Sequence, residues 1–194
     1  MKMKKSKNIG IFGGLFDPPH IGHLIIIQSV LEEFNLNKII FIPAGNPPHK
    51  SRYSAYNIRY KMIELAIKKN KKFFISALEQ KMSGKTYTIE VIKELKKKIK
   101  GRIYLIIGSD QWLEIETWKT PEELFEECEI IVVPRPNYII NKSGRFSRKI
   151  LISHSPLIDI SSTSIRKKIK QNRNIQYLVP QEVYKYIKRK RLYK

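Results

Sequence analysis

Between positions 13 and 23 the sequence reads Gly13-Gly14-Leu15-Phe16-Asp17-Pro18-Pro19-His20-Ile21-Gly22-His23. Two adjacent glycines let the backbone turn sharply and approach a ligand closely. An apolar pattern of helical period begins at Ile21, so His20 and His23 sit three apart at a helix start and face the same place. Free N–H groups and a positive dipole end at such a start favour phosphate. Gly22 is expected to keep the surface between the imidazoles open for a nucleotide. The run is neither the dinucleotide fingerprint G-x-G-x-x-G nor a P-loop. Two capping histidines or a zinc pair are the alternatives. Zinc would need further Cys, His or carboxylate ligands. The other histidines, His49 and His154, and the single Cys128 stand isolated in sequence, so no protein-held metal is expected.

A second candidate run for an anion is Ile160-Ser161-Ser162-Thr163-Ser164-Ile165-Arg166, with a Ser/Thr helix cap and a surface Arg as the alternative. Its hydroxyls can cap a helix whose N–H groups are then available to an anion, with Arg166 one turn in. Further candidates lie between the two runs. Pro47-Pro48-His49-Lys50 follows an apolar strand and delivers a cation. Gly108-Ser109-Asp110 follows another, where a carboxylate can accept from a ribose. Thr86-Tyr87-Thr88 opens a helix, Glu116-Thr117-Trp118 offers an indole, and Arg135 follows Val133-Pro134.

These residues need a scaffold that brings them to one edge, and strand and helix signals alternate accordingly. Strands are expected over Asn8–Phe12, Lys38–Pro43, Phe73–Ala77, Arg102–Ile107 and Glu129–Pro134, with a short sixth over Leu157–Ile160. Helical periodicity runs from Ile21 to Asn35, through Ile58, Met62, Leu65 and Ala66, and over Thr88 to Ile99. Thr120-Pro121-Glu122-Glu123 reads as a capping box with Pro at the first helical position. Ser161–Gln171 and Pro180–Lys190 follow as helices. Strands spaced by helices imply a parallel sheet. Right-handed crossovers then give an α/β, doubly wound, Rossmann-like sheet with helices on both faces and a C-terminal helical extension. No repeat or composition break divides residues 1–194, so a single domain is expected.

Composition narrows the classes. The chain has 194 residues, 42% hydrophobic and 28% charged, which suits a globular fold with a real core. One Cys allows no internal disulfide, and no apolar run reaches the roughly 20 residues of a membrane span. A cytoplasmic protein without membrane contact is therefore expected. Net charge is +21, which invites a nucleic-acid reading. Yet Lys is spread over every helix, and the densest runs, Lys93–Lys100 and Lys185–Arg191, read as solvated helix faces. Nucleic acid is thus an unexpected partner. A homo-oligomer is compatible with the sequence, which carries no signal for its state.

The pattern G-x-F-D-P-x-H-x-G-H after a first strand resembles the nucleotidyltransferase superfamily of adenylyltransferases, cytidylyltransferases and class I aminoacyl-tRNA synthetases. Leu15 departs from the Thr or Ser common there. From about Ile9 to Tyr186, GGLFDPPHIGH, IPAGNPPHK, KTYTIEVIKEL, IIGSDQW, ETW, VVPRPN, DISSTSIR and YLVPQEVYKYI together resemble the bacterial nicotinate-nucleotide adenylyltransferase family. The resemblance implies ATP and nicotinate mononucleotide as substrates, with Mg²⁺ carried on the ATP phosphates and water. It implies that His20, His23, Lys50 and Arg166 are catalytic. Phe12, Gly13, Gly14, Gly108, Asp110, Arg135, Ser162 and Thr163, with His20, His23 and Arg166, would bind ATP. Phe16, Asn46, Lys50, Thr86, Tyr87, Thr88 and Trp118 would bind the mononucleotide, Trp118 by stacking on the pyridine ring.

Two other readings stay open at this point. His20-Ile21-Gly22-His23 and Lys81-Met82-Ser83-Gly84-Lys85 mimic the two signatures of class I tRNA synthetases, although the chain has no room for anticodon parts. A sister adenylyltransferase or cytidylyltransferase with another acceptor is the second. For the acceptor, no residue from Lys81 to Ile89 is acidic, and the helix after Thr88 offers N–H donors. That environment is expected to favour a carboxylate over a carboxamide.

Overall fold

The computed structural model describes residues 7–46, 53–140 and 144–194. Six strands are β1 (Asn8–Gly14), β2 (Lys38–Pro43), β3 (Phe73–Ile75), β4 (Arg102–Gly108), β5 (Glu129–Val133) and β6 (Ile150–Ile152). They form one parallel sheet in the order β3-β2-β1-β4-β5-β6. The chain leaves β1 toward β2 on one side and returns as β4 on the other. The switch point therefore lies between β1 and β4, where a crevice opens beyond the strands' carboxyl ends.

Alternation along each strand sends side chains to opposite faces. Ile9, Ile11, Ile40, Ile42, Leu105, Ile107 and Ile130 build one apolar cluster, covered by Ile92 of α3 (Thr88–Lys96), Trp112 of α4 (Ser109–Leu113) and Leu124 of α5 (Pro121–Glu127). Ile39, Phe41, Tyr104, Ile106 and Ile131 build the other. It is covered by Ile27, Val30 and Leu31 of α1 (Ile21–Glu33) and by Ile63 and Ile67 of α2 (Tyr56–Ile67). Helices thus cover both faces. A third cluster seats Met62 of α2 against Ile165 of α6 (Ser162–Lys170) and Val183 and Ile187 of α7 (Gln181–Lys190). This is the helical extension.

Two local expectations fail. The sixth strand is Ile150–Ile152, pairing with Ile130–Val132, and not Leu157–Ile160. Edge pairing with β5 selects the Ile-Leu-Ile run, while Leu157 is 64% exposed and in no strand. The helix at Pro121 forms, but the capping box does not. Thr120 takes a left-handed backbone (φ 43°), and its hydroxyl donates to the Glu123 carboxylate at 3.1 Å instead of accepting a backbone N–H.

Candidate active site

β1 delivers the glycine pair to the crevice, and the loop to α1 brings back the histidines. At Gly13 an added Cβ would meet no atom within 4 Å, so the backbone there faces open space. Phe12 and Phe16 lie beside it with ring centroids 5.4 Å apart. Phe16 is 3% exposed, and its ring stands 5.3 Å from His23 and 5.8 Å from Phe41. In this conformation it is a floor beneath His23 with no open face for a ligand.

The two imidazoles cap α1 reciprocally. His23 N–H donates to Nδ1 of His20 at 3.3 Å, and His20 N–H donates to Nδ1 of His23 at 3.1 Å. An Nδ1 that accepts a backbone N–H carries no proton, so the proton of each neutral ring sits on Nε2. The rings stack with centroids 3.5 Å apart. Burial and the nearby Arg135 charge push His20 down to about 4. His23 lies well below the usual histidine range for the same reasons, with His20 adding to the effect. Both rings are therefore neutral near pH 7 and present Nε2–H donors without a charge of their own. Capping and anion binding are thus compatible roles here. Gly22 has a different reason from the one expected. A Cβ there would press on His20 Nδ1 at 3.1 Å and on Ile158 at 3.2 Å, so the glycine makes room for the imidazole.

The second candidate run, residues 160–166, reaches the same loop. Ser161 caps α6 by accepting Ser164 N–H at 3.1 Å. That leaves Ser162 to donate to the Pro18 carbonyl at 2.8 Å. Arg166 donates to the Asp17 carbonyl at 2.7 Å and to the Thr163 hydroxyl at 3.1 Å. Residues about 145 positions apart in sequence thereby place the α6 N-terminus beside the α1 N-terminus. Thr163 and Arg166 also line an open cavity of about 550 Å³ with Lys167 and Lys170.

At the end of β4, Asp110 pairs with Arg135 at 3.1 Å, and Ser109 accepts the Arg135 N–H at 2.9 Å. A Cβ at Gly108 would sit 2.3 Å from Asp110 Oδ1 and 2.8 Å from Arg135 Nε, so only glycine permits the pair. Oδ1 of Asp110 is buried with no hydrogen-bond partner among the described residues. It is an acceptor with capacity left for a hydroxyl.

The residues expected to hold a mononucleotide are more scattered. Lys50 lies outside the described residues. Asn46 is exposed and near the Tyr53 hydroxyl. Thr86 is 9% exposed, Tyr87 occupies the N-cap position of α3 without a side-chain cap, and Thr88 is its first residue. Trp118 is half-buried and packs with Tyr87 against the same apolar cluster. Lys119 stands 4.4 Å over the Tyr87 ring and pairs with Glu90 at 2.6 Å.

One expectation about this region needs correction. Residues 81–89 hold no acid, but Glu79 reaches in. Its carboxylate accepts the Thr86 hydroxyl at 2.7 Å and Gly45 N–H at 3.0 Å. Glu90 likewise accepts Tyr87 N–H at 3.4 Å at the α3 start. The neighbourhood therefore mixes donors with carboxylates. Sequence reasoning also missed Asp17, Arg59 and Tyr193, all bonded around the His20 loop. Arg59 had a signal: it shares a helical face with Met62 and Ile63, a charged residue on a buried stripe.

Among the described residues, no group of three or more His, Cys, Asp or Glu could hold a metal ion, and no helix is long and apolar enough to cross a membrane. The family described as Cytidylyltransferase-like matches residues 11–168. A probable nicotinate-nucleotide adenylyltransferase of Clostridium tetani (strain Massachusetts / E88) is 40% identical, covering 97% of this chain and 100% of that protein. The chain belongs to the nicotinate-nucleotide adenylyltransferase family. Another member, from Thermoanaerobacter sp. (strain X514), is 41% identical over 99% of this chain and 97% of its own. Among solved structures, Plasmodium falciparum nicotinic acid mononucleotide adenylyltransferase complexed with NaAD superposes with a TM-score of 0.83. It is 25% identical, covering 96% of this chain and 97% of that one.

Proposed function

We infer that this chain, as one nucleotidyltransferase domain, transfers the adenylyl group of ATP to nicotinate mononucleotide. The products are nicotinate adenine dinucleotide and pyrophosphate, a step of NAD biosynthesis. The observation that carries the reading is the joining of the two anion-binding runs, through Ser162 to Pro18 and Arg166 to Asp17, at the carboxyl end of β1. The acceptor's phosphate oxygen attacks the α-phosphorus, and the bond to the bridging oxygen of the leaving pyrophosphate breaks. The nucleophile is already an anion, so the reaction needs no strong base. It needs two phosphates held in line and donors aimed at the developing charge. In this reading Nε2–H of His20 and His23, the Arg166 guanidinium, Thr163 and the α6 N–H groups take the ATP phosphates. The open backbone at Gly13 admits the nucleotide, Asp110 Oδ1 accepts a ribose hydroxyl, and Arg135 swings between that carboxylate and phosphate. Thr86, Thr88 and Trp118 meet the pyridine ring and its carboxylate, with Asn46 and Lys50 toward the phosphate. The donors these residues offer are mainly nitrogen and hydroxyl groups, so Mg²⁺ would be held by the ATP phosphates and water, where it would neutralise phosphate charge.

The test is pyrophosphate release with ATP or CTP against a panel of acceptors. ATP with nicotinate mononucleotide is expected to be the preferred pair. The nicotinamide analogue should lose roughly 10-fold or more in kcat/KM through one mispaired buried group. Glu79 opposes that preference and is the group through which the amide could be served. Equal values for acid and amide would remove the carboxylate pocket and leave adenylyl transfer standing. Release with CTP alone, or with neither mononucleotide, would overturn the function.

A further inference from the structure

Asp17 lies in the loop that carries His20, and it is 1% exposed. Its Oδ2 accepts Ser54 N–H at 3.0 Å, and its Oδ1 accepts the Tyr193 hydroxyl at 2.5 Å, from a residue 176 positions away. The fully buried Arg59 donates to the Leu15 carbonyl at 3.1 Å and to the Ser54 carbonyl at 2.9 Å. The loop is thus held by two sets of partners. Residues of α6 bind the carbonyls of Asp17 and Pro18, while Arg59 binds the Leu15 carbonyl and Ser54 and Tyr193 bind the Asp17 carboxylate.

Tyr193 reaches this position at a cost. Its φ is 66°, in the left-handed region that a bulky residue seldom adopts. Arg191 is left-handed as well, and Leu192 N–H returns to the Ile187 carbonyl at 3.1 Å, a turn that closes α7. Packing of Leu192 and Tyr193 in the cluster of α2, α6 and α7 holds the strained backbone in place. Burial and the adjacent Asp17 push the phenol far up, so it remains a donor.

We propose that Tyr193 is a positioning residue for adenylyl transfer, its hydroxyl acting through Asp17 to hold the loop that presents His20 beside α6. The proposal rests on the function inferred above. Without the hydroxyl a buried carboxylate loses a partner, and the loop yields toward another donor. A shift near 1 Å in such a loop costs on the order of 10²-fold in rate.

Tyr193→Phe keeps the ring and its packing. Expected is a fall in kcat of roughly 10–100-fold, with KM for both substrates changed only a few-fold. In an Asp17→Ala background the same change is expected to alter kcat by less than about 2-fold, because the two act through one hydrogen bond. Ile187→Val, a cavity in the same cluster, serves as the control and should lower Tm without lowering kcat. The imidazole NMR signals of His20 and His23 supply a readout independent of turnover, moving in Tyr193→Phe and not in Ile187→Val. Unchanged kcat in Tyr193→Phe, additive losses with Asp17→Ala, or an equal kcat loss in Ile187→Val would each overturn the proposal. A wild-type chain that releases no pyrophosphate would refute the function instead, and the imidazole signals alone would then decide the clasp.

Discussion

Acidification should destabilise the fold through the buried, neutral imidazole pair of His20 and His23. His20 drops from 6.5 to about 4 on folding, chiefly through burial and then through Arg135. In the unfolded chain it protonates near its ordinary value. Between those two values the unfolded state binds a proton that the folded state refuses, so stability falls as pH falls. The stabilisation is complete above the unfolded pKa and is lost on acidification toward about 4. At 1.36 kcal/mol per unit, His20 alone removes about 2 kcal/mol between about pH 7 and about pH 4.5. His23 is shifted in the same direction and adds to the loss. Urea unfolding of wild type and His20→Asn across that range isolates the effect, because Asn is a good N-cap and still accepts His23 N–H. The stability difference, wild type minus variant, should shrink by about 2 kcal/mol toward the acid end. A difference that stays flat, or a His20 ring that titrates near 6.5 by NMR, would refute a neutral, desolvated pair. The same reasoning removes any histidine limb near pH 6.5 from the free-enzyme kcat/KM profile.

His23→Ala should lower kcat by roughly 10²–10³, the usual cost of one donor to developing charge, with the fold intact; near-normal turnover would end its assigned role. Trp118→Ala should raise KM for the mononucleotide roughly 5- to 100-fold, since stacking on a base-like ring is worth about 1–3 kcal/mol, and leave KM for ATP alone. Equal damage to both substrates, or unfolding, would make Trp118 part of the apolar cluster beneath it and no more.

Much of the scaffold was legible because parallel strands buried on both faces are written as continuous apolar runs. NIGIF, KIIFIP, RIYLII and EIIVV announce β1, β2, β4 and β5 without ambiguity. The edge was harder. Ile-Leu-Ile at 150–152 and Leu157–Ile160 look equally strand-like, and only pairing with β5 chose between them. The Thr120 box failed for a similar reason. The consensus was present, but the loop leading into α5 imposed a left-handed backbone on the capping residue.

For the candidate site, residue types and spacing offered His20, His23, Arg166 and Asp110 as candidates for phosphate and ribose, since each belongs to a short local run with a turn or helix start, and the family resemblance added Thr163. Contacts between distant residues were not readable in this way. Nothing local tells that Ser162 will meet Pro18, that Glu79 will stand against Thr86, or that Tyr193 will bond Asp17. The protonation of the histidines was equally hidden. It follows from burial and from which nitrogen accepts a backbone N–H, and both are properties of the packed loop. Local sequence determines which groups are available and which element carries each one. Their desolvation, partners and mutual distances come from packing the sheet, α6 and α7 around one loop, because electrostatic environment depends on neighbours in space and not on neighbours in the chain.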